Sequence, residues 1–228
     1  MRPWLGLRSL DELNRAAAEQ DLRTESGHRI EFVRPGGDAR PYEIQAFDTG
    51  RVGTRADNLH DWFNALAWLA FPRTKARMNA MHAAQMPREG GQRGPLRDLL
   101  TVFDEGGVLV ACDDDELIGL VREFRWKELF WTHRSRTREK MRLVVLGHAA
   151  LEKALEPWPG ITCKALFMEH RANLDEQAAH WLAHVRADAR PRDLAPLPVF
   201  GYPGWAENDS AAFYDDDRYF RQGKVRGG

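Results

Sequence analysis

The stretch that most constrains this chain runs from Asp57 to His82, DNLHDWFNALAWLAFPRTKARMNAMH. Between Asp57 and Phe71 there is no Lys, Arg or Glu, and the polar side chains are only Asp57, Asn58, His60, Asp61 and Asn64. A helix with one face in water carries long charged side chains on that face. This segment has none. At about 100° of rotation per residue, Asp57, His60, Asp61, Asn64 and Trp68 share one face, while Trp62, Leu66 and Leu69 occupy the other, so both faces read as buried. Asp57 or Asn58 suits the N-cap, and Pro72 both ends this helix and fits the first turn of the next. The second helix is expected from about Pro72 to Gln85. On it Lys75, Asn79 and His82 stand at i, i+4 and i+7, opposite a solvated stripe of Arg73, Arg77, Ala80 and Ala84. Two inward polar faces on consecutive helices must satisfy each other or line a recess, because a buried polar group without a partner is costly.

Those side chains define the candidate site. An imidazole oriented by a carboxylate transfers protons near neutral pH, and His60 with Asp61 supplies the pair. Lys75 and Arg55 are the expected anion holders, and Asn64, Asn79 and His82 complete the lining. A strand, a glycine and a helix that opens with His148 (LVVLGHAALEKAL) is a second site-like arrangement, with Glu152 one turn after His148. The expected catalytic set is therefore His60, Asp61 and His148. The expected substrate-binding set is Arg55, Asn64, Lys75, Asn79, His82 and Glu152, and no residue is assigned to a metal. No cofactor is identified, and a divalent metal has weak support. The competing account makes the same polar groups a satisfied network that fixes helix register in a non-catalytic binding or assembly module.

Composition narrows the partners. With 228 residues, 43% hydrophobic and 29% charged, the chain fits one sizeable core, and eight tryptophans argue for packing over disorder. A formal net charge of −1 gives no overall field toward nucleic acid or anionic membrane. A nucleic-acid partner would depend on the local basic run 133–142, HRSRTREKMR, which reads better as a solvated face. No run is long and apolar enough to span a bilayer, and the first residues, MRPWLGLRSLDELNR, lack the apolar core of a signal peptide, so a cytoplasmic location is the expectation. Cys112 and Cys163 lie in apolar strand-like runs and read as buried thiols.

The remaining segments suggest a mixed α+β (α/β) domain. Ser9 and Glu12 have capping-box spacing ahead of a helix reaching about Gln20. RIEFVR at 29–34 and YEIQAF at 42–47 read as a hairpin or paired strands around Pro35, Gly36 and Gly37. The loop 86–95 is a candidate lid or disordered segment. Leu99–Phe103 and Val108–Cys112 read as a hairpin with an acidic tip at Asp104 and Glu105, followed by a long helix from about Asp114 to Arg134 whose leading acids cap it. Strands are expected at 143–146 and 161–168, and helices at 148–155 and 173–187. In the last of these, His180 and His184 with Asp188 would offer a metal face, although an exposed amphipathic helix explains them more simply. Beyond Arg190, prolines and glycines argue against regular structure, yet the aromatics from Phe200 to Phe220 require burial. They predict an arm wrapped over the body, or holding a partner copy. The expected architecture is thus one compact domain spanning 1–228, with a small sheet of about five or six strands, packed helices and an extended C-terminal arm. Its parts are an N-terminal helix and hairpin (1–56), a central helix pair (57–86), a mixed segment (96–189) and the tail (190–228).

The pieces TRADNLHDWFNALAWLAFPRTKARMNAMH, LTVFDEGGVLVA, LGHAALEKAL and PVFGYPGW together resemble the bacterial domain-of-unknown-function family numbered 3025, from about Tyr42 to Phe220. The resemblance implies a bacterial, cytoplasmic protein and brings no activity or cofactor. The His60-Asp61 dipeptide is also similar to that of metal-dependent phosphohydrolases of the HD type, where it ligates a divalent ion. Those proteins are all-helical, and His28 upstream adjoins a strand, so metal hydrolysis is a minor branch. The functional expectation is a hydrolase-like enzyme acting on a small anionic substrate, phosphorylated compounds included.

Overall fold

The computed structural model describes residues 9–37, 39–89, 92–158 and 160–222. Helix α1 (Leu10–Glu19) begins at Ser9, whose hydroxyl accepts the Glu12 amide and bonds the Glu12 carboxylate, as the capping-box spacing requires. Strand β1 (Glu31–Val33) pairs in parallel with β2 (Arg51–Gly53), and α2 (Tyr42–Thr49) crosses between them. The expected hairpin is therefore corrected, since YEIQAF is helical. Its alternation fits a strand, but Pro41 opens a helix and Gly50 closes it at φ 73°, returning its amide to the Ala46 carbonyl. A Cβ at Gly50 would overlap the Arg29 carbonyl, so only glycine can end the helix against that neighbour.

Helices α3 (Leu59–Ala70) and α4 (Pro72–Gln85) form where expected. Asn58 caps α3 by accepting the Asp61 amide at 2.9 Å. Helix α4 has no cap of its own, because Phe71 stands at that position. Its free amides are met from across the fold: Asp175 accepts Arg73 N and Thr74 N at 3.0 and 2.8 Å, and the Thr74 hydroxyl at 2.7 Å.

Helix α5 (Pro95–Gly106) replaces the strand expected at Leu99–Phe103. Leu96, Leu99, Leu100 and Phe103 are buried at helical spacing, and only the second half of the supposed hairpin extends, as β3 (Gly107–Cys112). Strand β3 is interior to a sheet of order β4-β3-β5-β6, with β4 (Met141–Val145) antiparallel to it, β5 (Thr162–Met168) parallel, and β6 (Ala195–Pro198) antiparallel to β5. The expected single sheet is thus divided into one of four strands and one of two. The tail contributes β6 despite Pro196 and Pro198, which an edge strand tolerates because its outer amides need no partner.

Alternation along β3 divides the core. Val108, Val110 and Cys112 meet α6 (Asp115–Arg122), Trp126, Phe130 and the tail aromatics Tyr214, Tyr219 and Phe220. Leu109 and Ala111 face α5, α9 (Leu174–His184) and Met78 of α4. A third cluster of Leu13, Phe32, Val52 and Trp68 ties α1 and the two-stranded sheet to α3. The tail wraps the body as expected: the Tyr219 hydroxyl donates to the Ile161 carbonyl, and Trp126 Nε1 donates to the Arg221 carbonyl. Both cysteines are buried free thiols.

The long helix expected over 114–134 is interrupted. Phe124 has φ 61°, and the Arg125 amide turns back to the Leu120 carbonyl, ending α6 without a glycine; the Phe124 ring lies 5.5 Å from that of Trp126. A π-helical turn at Glu128–Thr132 and α7 (Arg134–Lys140) follow, and α8 (His148–Lys153) comes after β4. The acids ahead of α6 act as expected, Asp114 accepting the Leu117 amide at 3.3 Å. In the basic run, Arg134 binds Asn208 and Asp209 of the tail, and Arg136 binds Asp114 and Glu116. In the loop read as a lid, Met86–Arg88 forms a 3-10 turn and Glu89 is held by Arg97, while Gly90 and Gly91 lie outside the described residues, as do 1–8 of the N-terminus. No helix among the described residues is long and apolar enough to cross a membrane.

The remote cap on α4 yields a stability prediction. Asp175→Ala leaves two helix amides unmet, while the Thr74 hydroxyl keeps the Asp175 backbone carbonyl, and is expected to cost about 1–2 kcal/mol in urea denaturation, with Asp175→Asn losing less. Equal stability of Asp175→Ala and wild type would show that α4 does not depend on this contact.

Candidate functional site

The convergence of the site follows from the β3–β4 pairing. Asp104 lies in the last turn of α5, just before β3, and His148 opens α8, just after β4. Because the two strands are antiparallel, with Val108 opposite Val145, the start of one and the end of the other coincide, and Asp104 and His148 meet. Gly147 makes this approach feasible, since a Cβ there would lie 2.6 Å from the Glu105 carbonyl oxygen and from the Gly106 backbone. Helix α3 packs on α8 from the other side and delivers His60.

A row of hydrogen-bonding groups results. His60 Nδ1 stands 3.0 Å from Glu152 Oε2, and His60 Nε2 stands 3.0 Å from His148 Nε2. The two rings are edge-on, with centroids 4.4 Å apart. His148 Nδ1 then faces Asp104 Oδ2 at 3.6 Å. The other oxygen of Asp104 accepts from Lys75 Nζ at 2.5 Å, Lys75 donates also to Asn64 Oδ1 at 2.8 Å, and Asn64 Nδ2 donates to the Tyr42 hydroxyl at 3.0 Å. The Lys75 ammonium lies 5.6 Å from the centre of the Trp68 ring, a further favourable contact for a buried cation.

The row runs from solvent to interior. The side chains of His60 and Glu152 are 42% and 39% exposed, those of His148 and Lys75 only 6% and 5%. Burial is the first influence on the inner groups. It lowers His148 to about 4, against the pull of Asp104 and aided by Lys75 and His60, so the ring is neutral near pH 7. For Asp104, burial acts to raise the carboxyl, but Lys75 and His148 outweigh it and hold Asp104 below the usual carboxylate range.

Proton counting identifies the weak junction. Two neutral imidazoles carry two ring protons, whereas Glu152–His60, His60–His148 and His148–Asp104 make three junctions. With His60 donating to Glu152, its Nε2 accepts from His148, and His148 Nδ1 is left bare. That nitrogen is buried without a hydrogen-bond partner, and 3.6 Å is too long for one. A further proton fills the gap and leaves one imidazolium between two carboxylates.

Other expected residues fall elsewhere. Asp61 does not orient His60. Its carboxylate accepts Arg55 N at 2.9 Å and the Arg55 guanidinium at 2.7 and 2.9 Å, which lowers it, and Glu152 takes the expected orienting role. Lys75, expected to hold a substrate anion, is already engaged by Asp104 and Asn64. Asn79 and His82 lie at the inner end of the network. Asn79 donates to Glu43, and His82 accepts from Arg97 Nε at 3.4 Å, with burial lowering it to about 4. The metal face on α9 does not assemble. His184 Nδ1 is 2.8 Å from the His180 carbonyl, Asp188 pairs with Arg186, and among the described residues no group of three or more His, Cys, Asp or Glu is placed to hold a metal ion.

Sequence reasoning missed Asp104, Glu43, Tyr42 and Arg97. Reading 96–103 at helical rather than strand period would have put Asp104 on a helix one turn beyond Leu100; Glu43 needed the same revision for 42–49. The family model described as Protein of unknown function (DUF3025) matches residues 30–224. No curated protein and no solved structure matches the chain.

Two outcomes are expected of the buried groups. Lys75→Met, which strands the Asp104 carboxylate, should cost about 3–5 kcal/mol, and the double change with Asp104→Asn should cost less than the sum of the single changes in a double-mutant cycle. Additive losses would mean that the two side chains do not interact. His82 and His148 are lowered from 6.5 to about 4, so the unfolded chain binds protons in that window that the folded chain refuses. Their stabilising contribution is full above pH 6.5 and is lost as pH falls toward 4; denaturation curves across this range should show the loss, shallower in His82→Gln.

Proposed function

The chain belongs to the DUF3025 family, and from that premise, which carries no activity, we propose that it is a hydrolase-like enzyme acting on a small anionic substrate. The observation that carries this reading is the 3.0 Å contact between His60 Nε2 and His148 Nε2, which links a solvent-facing carboxylate–imidazole pair to a buried carboxylate. A network serving only stability gains nothing from extending to exposed side chains, where ion pairs contribute little. One that must exchange a proton with a substrate needs such an outlet.

Both nitrogens of His60 are engaged, so Glu152 is the group that meets the reacting molecule. In the proposed step the Glu152 carboxylate takes a proton from an attacking water. The imidazole pair, held between Glu152 and Asp104, spreads the incoming positive charge, and Glu152 returns the proton to the leaving group. Arg55, with its side chain 62% exposed at the start of α3, is the cation available to the substrate's anionic group. Asp61 holds it through Nε and Nη2. Lys75 acts indirectly, by holding Asp104 ionised.

A second reading, a non-catalytic binding or assembly module, is favoured by one observation: Lys75 and Asn79 are sealed at 4% and 2% exposure, as in a network that fixes helix packing. The two readings separate by assay. Purified protein, analysed for metal, is tested against a panel of phosphate and carboxylic esters with and without added divalent ions. Turnover by wild type is expected to fall about 10²–10⁴-fold in Glu152→Gln and His60→Gln while circular dichroism stays unchanged. Absence of turnover, or equal rates in all three proteins, would leave the binding module as the better account.

A further inference from the structure

The inner end of the network holds a second acid that the proton row does not use. Glu43 lies in the first turn of α2, and although part of the residue reaches solvent, its carboxylate is packed among protein atoms beside α4 and α5. Asn79 Nδ2 donates to its Oε2 at 2.6 Å and to its backbone carbonyl at 2.8 Å, which occupies both amide protons. What remains is Oδ1 of Asn79, an acceptor on a side chain that is almost wholly buried, and it has no hydrogen-bond partner. Native proteins seldom leave such an atom bare. The carboxyl already in contact can supply the missing donor if it carries a proton. A carboxylic acid and a primary amide are complementary, since each gives one hydrogen and receives one.

The surrounding charges favour the same state. Lys75 of α4 is paired with Asp104 of α5, and Arg97 of α5 with Glu89 beyond α4. His82 on α4 and His148 on α8 are neutral near pH 7. Strand β2, also packed on α2, brings only Arg51, an exposed side chain at the far end of that helix. The set is balanced without Glu43, and an ionised Glu43 would add an unmatched negative charge near Asp104. Burial first, with Asp104, pushes the Glu43 carboxyl up to about 7, against the opposing influence of Asn79, Lys75 and Arg97.

We propose that Glu43 is held as the neutral acid with its hydroxyl donating to Asn79 Oδ1, forming a proton-holding site buried between α2 and α4. When the pH rises Glu43 releases this proton to solvent, and Asn79 Oδ1 loses its donor. The acid–amide pair stands whether or not the site is catalytic.

Infrared spectra of the full chain across pH test this. Between pH about 5 and 7, above the range in which ordinary carboxyls are protonated, the stretch of a protonated carboxyl is expected in wild type, fading as pH rises past about 7, and absent from Glu43→Gln. Gln keeps the pairing, since its amide donates to Asn79 Oδ1, so this variant is expected to fold. Because the folded value lies above the unfolded 4.5, the wild-type contribution is full below pH 4.5 and is lost as pH rises through about 7. Glu43→Gln should therefore gain stability relative to wild type across that window. A carboxyl band between pH about 5 and 7 that is identical in both proteins, or missing from both, overturns the neutral acid, and so does equal stability of the two proteins across the window. Neither readout involves turnover, so failure of the hydrolase reading would be seen separately.

Discussion

Lys75 and Asp104 form the contact on which the polar interior depends. An ammonium and a carboxylate removed from water are each expensive, and at 2.5 Å, with Asn64 on the second ammonium proton, they offset that cost for one another. The groups nearby are set by burial together with this pair. Asp104 stays ionised because Lys75 is present, His148 stays neutral because it is buried, with Lys75 adding to that against the pull of Asp104, and Asn64 is oriented so that its amide reaches Tyr42. A chain with an apolar residue at position 75 would have to discard the whole arrangement.

The pair is reached by an unusual division of labour between sheet and helices. The four-stranded sheet supplies the joint: the ends of β3 and β4 bring α5 and α8 together, and glycine at 147 allows their backbones to touch. The helix layer supplies the side chains, with α3 contributing His60 and Asn64, α4 contributing Lys75, Asn79 and His82, and α2 contributing Tyr42 and Glu43. The polar row therefore crosses the helix layer from the exposed Glu152 on α8 to the Tyr42 hydroxyl on α2, beside the sunken carboxyl of Glu43. One side of the layer thus carries an acid open to solvent and the other an acid shielded from it.

How much of this could be read from residues alone varies by segment. The helix pair 59–85 was legible, including the inward face of Lys75, Asn79 and His82, because α3 carries no long charged side chain and α4 carries Arg73 and Arg77 on the face opposite those three. His148 with Glu152 was legible as a site-like helix start. Asp104 was not, since LLTVF is apolar and β-branched enough to pass for a strand when its partner Leu96 is left outside the window. The same ambiguity concealed Glu43 and Tyr42 in YEIQAF. Asp61 was misassigned for a different reason: next to His60 in sequence, it leaves the helix about 100° away, and Arg55 claims it. Phe124 gave no warning of its break in α6, because the left-handed residue there is not glycine.

By itself the sequence determined the mixed class, the buried polar helix pair, the Asn58 cap of its first helix, the wrapped aromatic tail and most of the residue types that meet in the interior. These follow from local rules of periodicity, capping and the cost of burying unpaired polar groups, which act within a few turns of chain. Only the tertiary structure decided that the strands divide into two sheets, that Glu152 rather than Asp61 orients His60, and that Asp104 joins His148 to Lys75. Those outcomes depend on which strand ends coincide and which helices touch, contacts between residues far apart in sequence whose geometry no local pattern encodes.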